Sequence, residues 1–233
     1  MKIKILYEDP NILAIDKPSG ISVHGDGRSK KKTIADWILK NYPKMKNVGE
    51  PMEGIPRPGI VHRLDNETSG VLLLAKNEKA YQFLKSQFKN REIKKTYLAI
   101  ISGHVKNDRG IINKLIGRSP KDFRRHLAGR GARGEMREAI TEYKVLKRLE
   151  ILHSKFTYLE IKPKTGRTHQ IRVHMKYLNH PVVCDSLYNP SAPCPKEIKR
   201  LALHAKSIEF KNLKGETVKV ESPVPKEFIK LQK

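Results

Sequence analysis

Apolar and polar positions alternate along much of the chain with the period of two that belongs to strands. Residues 3–16 read as two short strands around an Asp9-Pro10-Asn11 turn, and Lys17-Pro18-Ser19-Gly20 ends the second. Residues 141–146 and 156–161 alternate like strands, 96–101, 205–210 and 218–221 read as further strands, and 71–75 is an unbroken apolar run that fits a buried strand. Helical spacing shows in three places. Ile34, Trp37 and Ile38 share a face behind Thr33 as N-cap, and Ala80, Leu84 and Phe88 recur at fourfold spacing behind Asn77. A third helix follows Gly166, with Thr168 as N-cap and Ile171, Met175 and Leu178 toward the core. Residues 43–59 form a Pro- and Gly-rich loop. Residues 118–137 have no apolar periodicity and read as a long, mobile excursion. Strands outnumber helices and several neighbours are hairpin-like. The pattern therefore predicts one α+β domain over residues 1–233, with a large mixed, mainly antiparallel β-sheet flanked by helices and loops.

Charge changes this picture more than composition does. With 38% hydrophobic and 31% charged residues among 233, the chain has the balance of a globular protein rather than a disordered one. The 48 Lys and Arg against 24 Asp and Glu give a net charge of +24, which attracts polyanions and points to nucleic acid. An acidic membrane surface is the competing partner, but no basic amphipathic helix stands out. No apolar run approaches the roughly 20 residues that span a bilayer. The N-terminus carries acid early and lacks a signal-peptide apolar stretch, so a cytoplasmic location is expected. Cys184 and Cys194 lack the second pair that a zinc site needs, and a reduced structural pair is expected.

The candidate chemistry centres on Gly59-Ile-Val-His-Arg-Leu-Asp-Asn-Glu-Thr-Ser-Gly70. Here Asp65 sits at a loop–strand junction, after a Pro-Gly turn and a His-Arg pair and before Thr-Ser-Gly. Loops held by a rigid sheet commonly carry catalytic groups. A neighbouring guanidinium favours the charged form of a carboxylate, the form that acts as nucleophile or base. On the residues alone, an ordinary turn Asp that caps the backbone is the better explanation.

His62-Arg-Leu-Asp-Asn-Glu-Thr-Ser-Gly70 resembles the signature of the RluA family of pseudouridine synthases. Other segments resemble that family's motifs in order: Asp16-Lys-Pro-Ser-Gly-Ile-Ser-Val-His24, Lys95-Thr-Tyr-Leu-Ala99, Gly166-Arg-Thr-His-Gln-Ile-Arg-Val-His-Met175 and Leu201-Ala-Leu-His-Ala205. Together they cover nearly the whole chain. The resemblance implies a pseudouridine synthase-like catalytic fold and the isomerisation of uridine to pseudouridine within ribosomal or transfer RNA, without metal or cofactor; a monomer is adequate for this chemistry and is expected. It implies Asp65 as the catalytic carboxylate, Tyr97 as the ring that stacks on uracil, and Arg172 as the carboxylate's guanidinium partner. Arg63 resembles the residue that helps displace the base, and Leu203 an apolar wall of the uracil site. Arg172 follows Ile171 and so falls off the expected core stripe of its helix, toward a cleft. His62, His169 and His174 have no assigned role, and structural ones are expected for them. With the enzyme reading accepted, residues 118–137 become an RNA-gripping arm through Arg124, Arg125 and Arg130.

The chain departs from the family in two ways. It begins almost at the first motif, so the small RNA-binding domain that some members carry is expected to be absent. In Val183-Cys-Asp-Ser-Leu-Tyr-Asn189, Cys184 and Asn189 stand where the family usually has Gly. Asn tolerates left-handed backbone, so Asn189 is expected to keep the turn while Cys184 changes it. The rival reading is a non-catalytic RNA-binding or ribosome-assembly protein on the same fold. A kinase, suggested by His-Arg-Leu-Asp alone, lacks the Asp-Phe-Gly and glycine-rich segments.

Overall fold

The computed structural model describes residues 1–25, 27, 29, 31–52, 54–151, 153–192 and 194–231. In chain order it forms β1 (Lys4–Glu8), β2 (Ile12–Lys17), α1 (Ile34–Asn41), β3 (Ser69–Ala75), α2 (Glu78–Lys89) and β4 (Lys94–Ser102). Next come β5 (Arg109–Asn113), β6 (Ile116–Arg118), β7 (His126–Ala128), β8 (Arg133–Arg137), β9 (Ile140–Ile151) and β10 (Ser154–Pro163). α3 (Gln170–Tyr177), β11 (Leu203–Lys211), β12 (Thr217–Glu221) and α4 (Lys226–Lys230) complete it. The chain groups into two compact units, Met1–Lys94 with Ala205–Pro223, and Lys95–His204 with Val224–Lys233.

In the first unit the strands lie in the order β1-β2-β3-β11, with β12 paired to β11. β2 runs antiparallel to β3, from Ile12 opposite Ala75 to Lys17 opposite Gly70. All seven residues of β3 are buried, as its unbroken apolar run predicts. Gly70 is required there, since its φ is +111° and a Cβ would overlap the backbone carbonyl of Ala205. Both helices start where their caps predict. Thr33 accepts from the Asp36 amide while the Asp36 carboxylate accepts from the Thr33 backbone, a reciprocal capping box. Asn77 accepts from the Ala80 amide at the head of α2.

In the second unit β4, β10, β9 and β5 pair antiparallel in that order. An apolar core gathers on these strands, including Leu98, Ile100, Leu159 and Ile161, with Ile171 and Met175 of α3 and Phe228 of α4. Residues 118–137 are not a structureless excursion. They belong to a three-stranded antiparallel sheet in the order β7-β6-β8. Strands of three to five mostly polar residues carry no alternation, so periodicity could not show them. β6 and β8 approach closely because Gly117 has no side chain: a Cβ there would meet Met136 Sδ at 2.5 Å.

The expectation of reduced cysteines also fails. The chain between them turns back to bring the Cα atoms of Cys184 and Cys194 to 5.2 Å, and the pair is joined as a disulfide. Spacing along the sequence carries no trace of that return. Among the described residues no helix is long and apolar enough to cross a membrane.

Candidate active site

Asp65 lies in the first unit, half-buried, at the head of a four-residue turn closed by the Thr68 amide donating to its carbonyl at 3.1 Å. The segment 17–22 holds this turn. The Nζ of Lys17, a side chain with 0% exposure, donates to the carbonyls of Pro18 (2.9 Å), Ile21 (2.7 Å) and Asn66 (2.9 Å). Beside it the Gly20 amide donates to the Asn66 carbonyl at 2.9 Å, and the Ser19 hydroxyl to the Glu67 carbonyl at 2.6 Å. The first family-like segment therefore acts as a clamp on the segment that carries Asp65. Nothing in the residue pattern announced Lys17, because a lysine at a strand end normally points to water.

His62 fixes the other side of the loop. Its Nε2 accepts from the Leu73 amide at 2.9 Å, and its ring stacks on Phe88 at 4.8 Å between centroids. That geometry matches the loop-positioning role expected of it. Arg63 is exposed, with Nη1 3.3 Å from Nε2 of His24. Nδ1 of His24 lies 2.8 Å from the Gly25 carbonyl, which places the proton on Nδ1 and leaves Nε2 to accept from Arg63. Burial, helped by the charges of Arg63 and Arg57, holds the His24 imidazole below its ordinary value of 6.5.

In the second unit Tyr97, partly buried on β4 opposite Ile161, packs against the apolar cluster that contains Leu203 and Ile171. Leu203 is only 3% exposed and belongs to that core. Lys95, two residues before Tyr97, opens the Lys95–Ala99 segment, and no role was expected of it. Burial pushes its ammonium down to about 8, and Nζ donates to the Thr165 carbonyl at 3.3 Å.

Arg172 does not project from a half-exposed helix as its position suggested. Residues 170–175 of α3 are all buried, and Arg172 is 3% exposed. Within its own unit the carboxylate that meets it is Asp185, through Nε to Oδ2 and Nη2 to Oδ1, both at 2.7 Å. Such a two-point contact fixes a guanidinium in one plane. Oδ1 of Asp185 also accepts from the amides of Leu187 (3.0 Å) and Tyr188 (2.9 Å), and the guanidinium lies 5.2 Å from the Tyr188 ring centre. The Tyr188 hydroxyl accepts from the His126 amide at 2.9 Å and sits 3.0 Å from His169 Nδ1. Asp185 and Tyr188 thus anchor Arg172, His169 and β7 together, and residue pattern alone did not single them out. Cys184, just before Asp185, takes the left-handed conformation itself (φ 55°), whereas Asn189 does not. The expected division of labour at this turn is reversed.

The N-cap of α3 is His169 in left-handed backbone (φ 54°), not Thr168, and no side chain caps it. His174 is fully buried, with Nδ1 2.8 Å from Thr141 Oγ1 and Nε2 3.1 Å from the Lys114 carbonyl. Burial lowers its imidazole below 6.5, against a smaller opposite pull from that carbonyl. On the small sheet Arg124 pairs with Asp122 at 2.9 Å, Arg125 lies 3.5 Å from the same carboxylate, and Arg130 is exposed. Phe123 between them is 84% exposed.

A family model described as RNA pseudouridylate synthase matches residues 11–177. A protein of Aquifex aeolicus described as an uncharacterized RNA pseudouridine synthase is 42% identical over 200 residues, 85% of this chain and 60% of its own length. Ribosomal large subunit pseudouridine synthase D of Borreliella burgdorferi is 40% identical over 228 residues, 97% of this chain and 67% of its own. The chain thus spans 60% to 67% of the length of these two relatives. Among solved structures, human RNA pseudouridylate synthase domain containing 1 superposes with a TM-score of 0.78 at 28% identity, covering 96% of this chain and 84% of that one.

Proposed function

Because the chain belongs to the RNA pseudouridylate synthase family, we propose that it isomerises uridine to pseudouridine in folded RNA, with Asp65 as the catalytic carboxylate. The observation that carries this reading is the Asp65 turn, held from beneath by a buried ammonium and three backbone carbonyls. A turn held in this way fixes the backbone that carries the carboxylate, and the reaction needs that carboxylate within about 3 Å of its target. The bond from the sugar to uracil N1 breaks, the base turns, and C5 joins the same sugar carbon; C5 loses a proton and N1 gains one. The isomerisation is redox-neutral and transfers no group, so it asks for neither cofactor nor metal.

The other roles follow the same reading. Tyr97 supplies a flat face for the uracil, and Leu203 an apolar contact behind it. Arg172, already fixed by Asp185, serves the catalytic carboxylate. Arg63, exposed beside His24, fills the space left by the displaced base. Arg124, Arg125 and Arg130 meet phosphates, and the exposed Phe123 ring offers a stacking surface to an unpaired base. The description of the Borreliella relative makes large-subunit ribosomal RNA the first substrate to test, ahead of transfer RNA. Both place the activity in the cytoplasm.

Mapping pseudouridines in host ribosomal and transfer RNA, with and without the gene, tests the proposal. At least one modified position disappears on deletion, returns with the wild-type gene and does not return with Asp65→Asn. A full set of positions after deletion would contradict it.

A further inference from the structure

One face of the small sheet bounds a cavity of about 400 Å³ that the roles above leave unused. Its floor is a row across three strands: His126 on β7 and Arg133 on β8 stand opposite Arg118 on β6. Arg167, from the turn before α3, closes the cavity, and its Nε donates to the Glu138 carbonyl at 2.9 Å, which orients the guanidinium. Among the described residues that line it, the one carboxylate is Glu135, held by Arg137 at 2.6 Å. Arg118, Arg133 and Arg167 remain as an excess of positive charge around an opening of small-ligand size.

Like charges directly opposite on neighbouring strands repel, so the Arg118–Arg133 pair works against the sheet that carries it. An anion seated between the two guanidiniums removes that repulsion, and each planar fork suits phosphate oxygens. We propose that this cavity binds a phosphodiester of the substrate RNA. The site rests on the reading that the chain acts on RNA and adds to it where the backbone is gripped. It adds a held phosphate on the sheet face to the contacts of Arg124 and Arg125, which share Asp122.

The test uses the full chain, a Arg118→Gln/Arg133→Gln variant and a Arg167→Gln variant, with a fluorescent uridine-containing stem-loop RNA titrated across a salt series. Each lost phosphate contact lowers the slope of log affinity against log salt by about 0.7 to 0.9. All three arginines hold one phosphodiester, so the double variant should lose about 0.7 to 0.9 in slope and Arg167→Gln no more than that. Without RNA the double variant should melt no lower than wild type, because its substitutions remove a repulsion. Asp65→Asn should keep the wild-type slope. Wild-type slopes in the variants, with turnover of uridine intact, would overturn the site alone. Stabilisation of wild type by inorganic phosphate, lost in the variants while RNA slopes stay equal, would reassign the cavity to a free anion and also overturn it. A wild type that neither binds nor modifies RNA would overturn the functional reading and the site with it.

Discussion

Lys17 shows how a single side chain can hold the segment that carries the proposed catalytic carboxylate. Its ammonium is fully enclosed and donates to three backbone carbonyls, one of them on Asn66, the residue after Asp65. A buried charge is costly to leave unpaired, and so are the carbonyls that it satisfies. Lys17→Met keeps the length of the side chain and removes the donor. The variant should lose about 2–5 kcal/mol of unfolding free energy in urea, since it leaves carbonyls without their donor at about 1–3 kcal/mol for each that stays unsatisfied. It should also lose turnover, since the Asp65 turn loses its floor. A variant as stable as wild type would show that the clamp is incidental. Asp185 does for Arg172 what Lys17 does for Asp65. Neither was legible in the residue pattern, because both roles depend on which distant backbone the fold brings near. The segments around them could be read only by resemblance, which names reacting groups and leaves their supports unnamed.

The helices and strands divide sharply in how far they could be read. α1 and α2 carry side-chain caps and one-sided apolar stripes, so Thr33 and Asn77 marked their starts. α3 is buried through residues 170–175, so a stripe could not say which side faces the core, and its first turn is capped by no side chain. The small sheet escaped because its short polar strands have no period, and its order comes from close approach at Gly117. Burial of α3 has a consequence for acid stability. His174 lies between Thr141 of β9 and the Lys114 carbonyl, and its folded-state imidazole sits below the 6.5 of an unfolded chain. The folded protein therefore binds fewer protons than the unfolded chain in that window, so stability is full above pH 6.5 and falls as the pH drops through the lowered value. His24, shifted in the same direction, adds to the fall. The melting temperature should decline from pH 7 to pH 5.5, and more gently in His174→Gln. Equal slopes in variant and wild type would remove His174 from the account.

At the scale of the whole molecule, a net charge of +24 is the property most visible in the sequence and least specific in meaning. It attracts polyanions in general, and the phosphate site proposed on the small sheet would give that attraction a place. What makes the chain more than a polycation is the Asp65 turn, carried on a scaffold shared with pseudouridine synthases over 96% of its length. The alternative, a protein that binds RNA and leaves it unchanged, predicts the same charge, the same fold and the same salt dependence. Only the fate of uracil C5 separates the two. Tritium release from ribosomal RNA labelled at uracil C5, taken from cells lacking the gene, measures it directly. Wild type should release tritium in proportion to the uridines converted, and Asp65→Asn should release none above background while still binding the RNA. Undiminished release by Asp65→Asn, or none by wild type on RNA that it binds, would contradict the central claim.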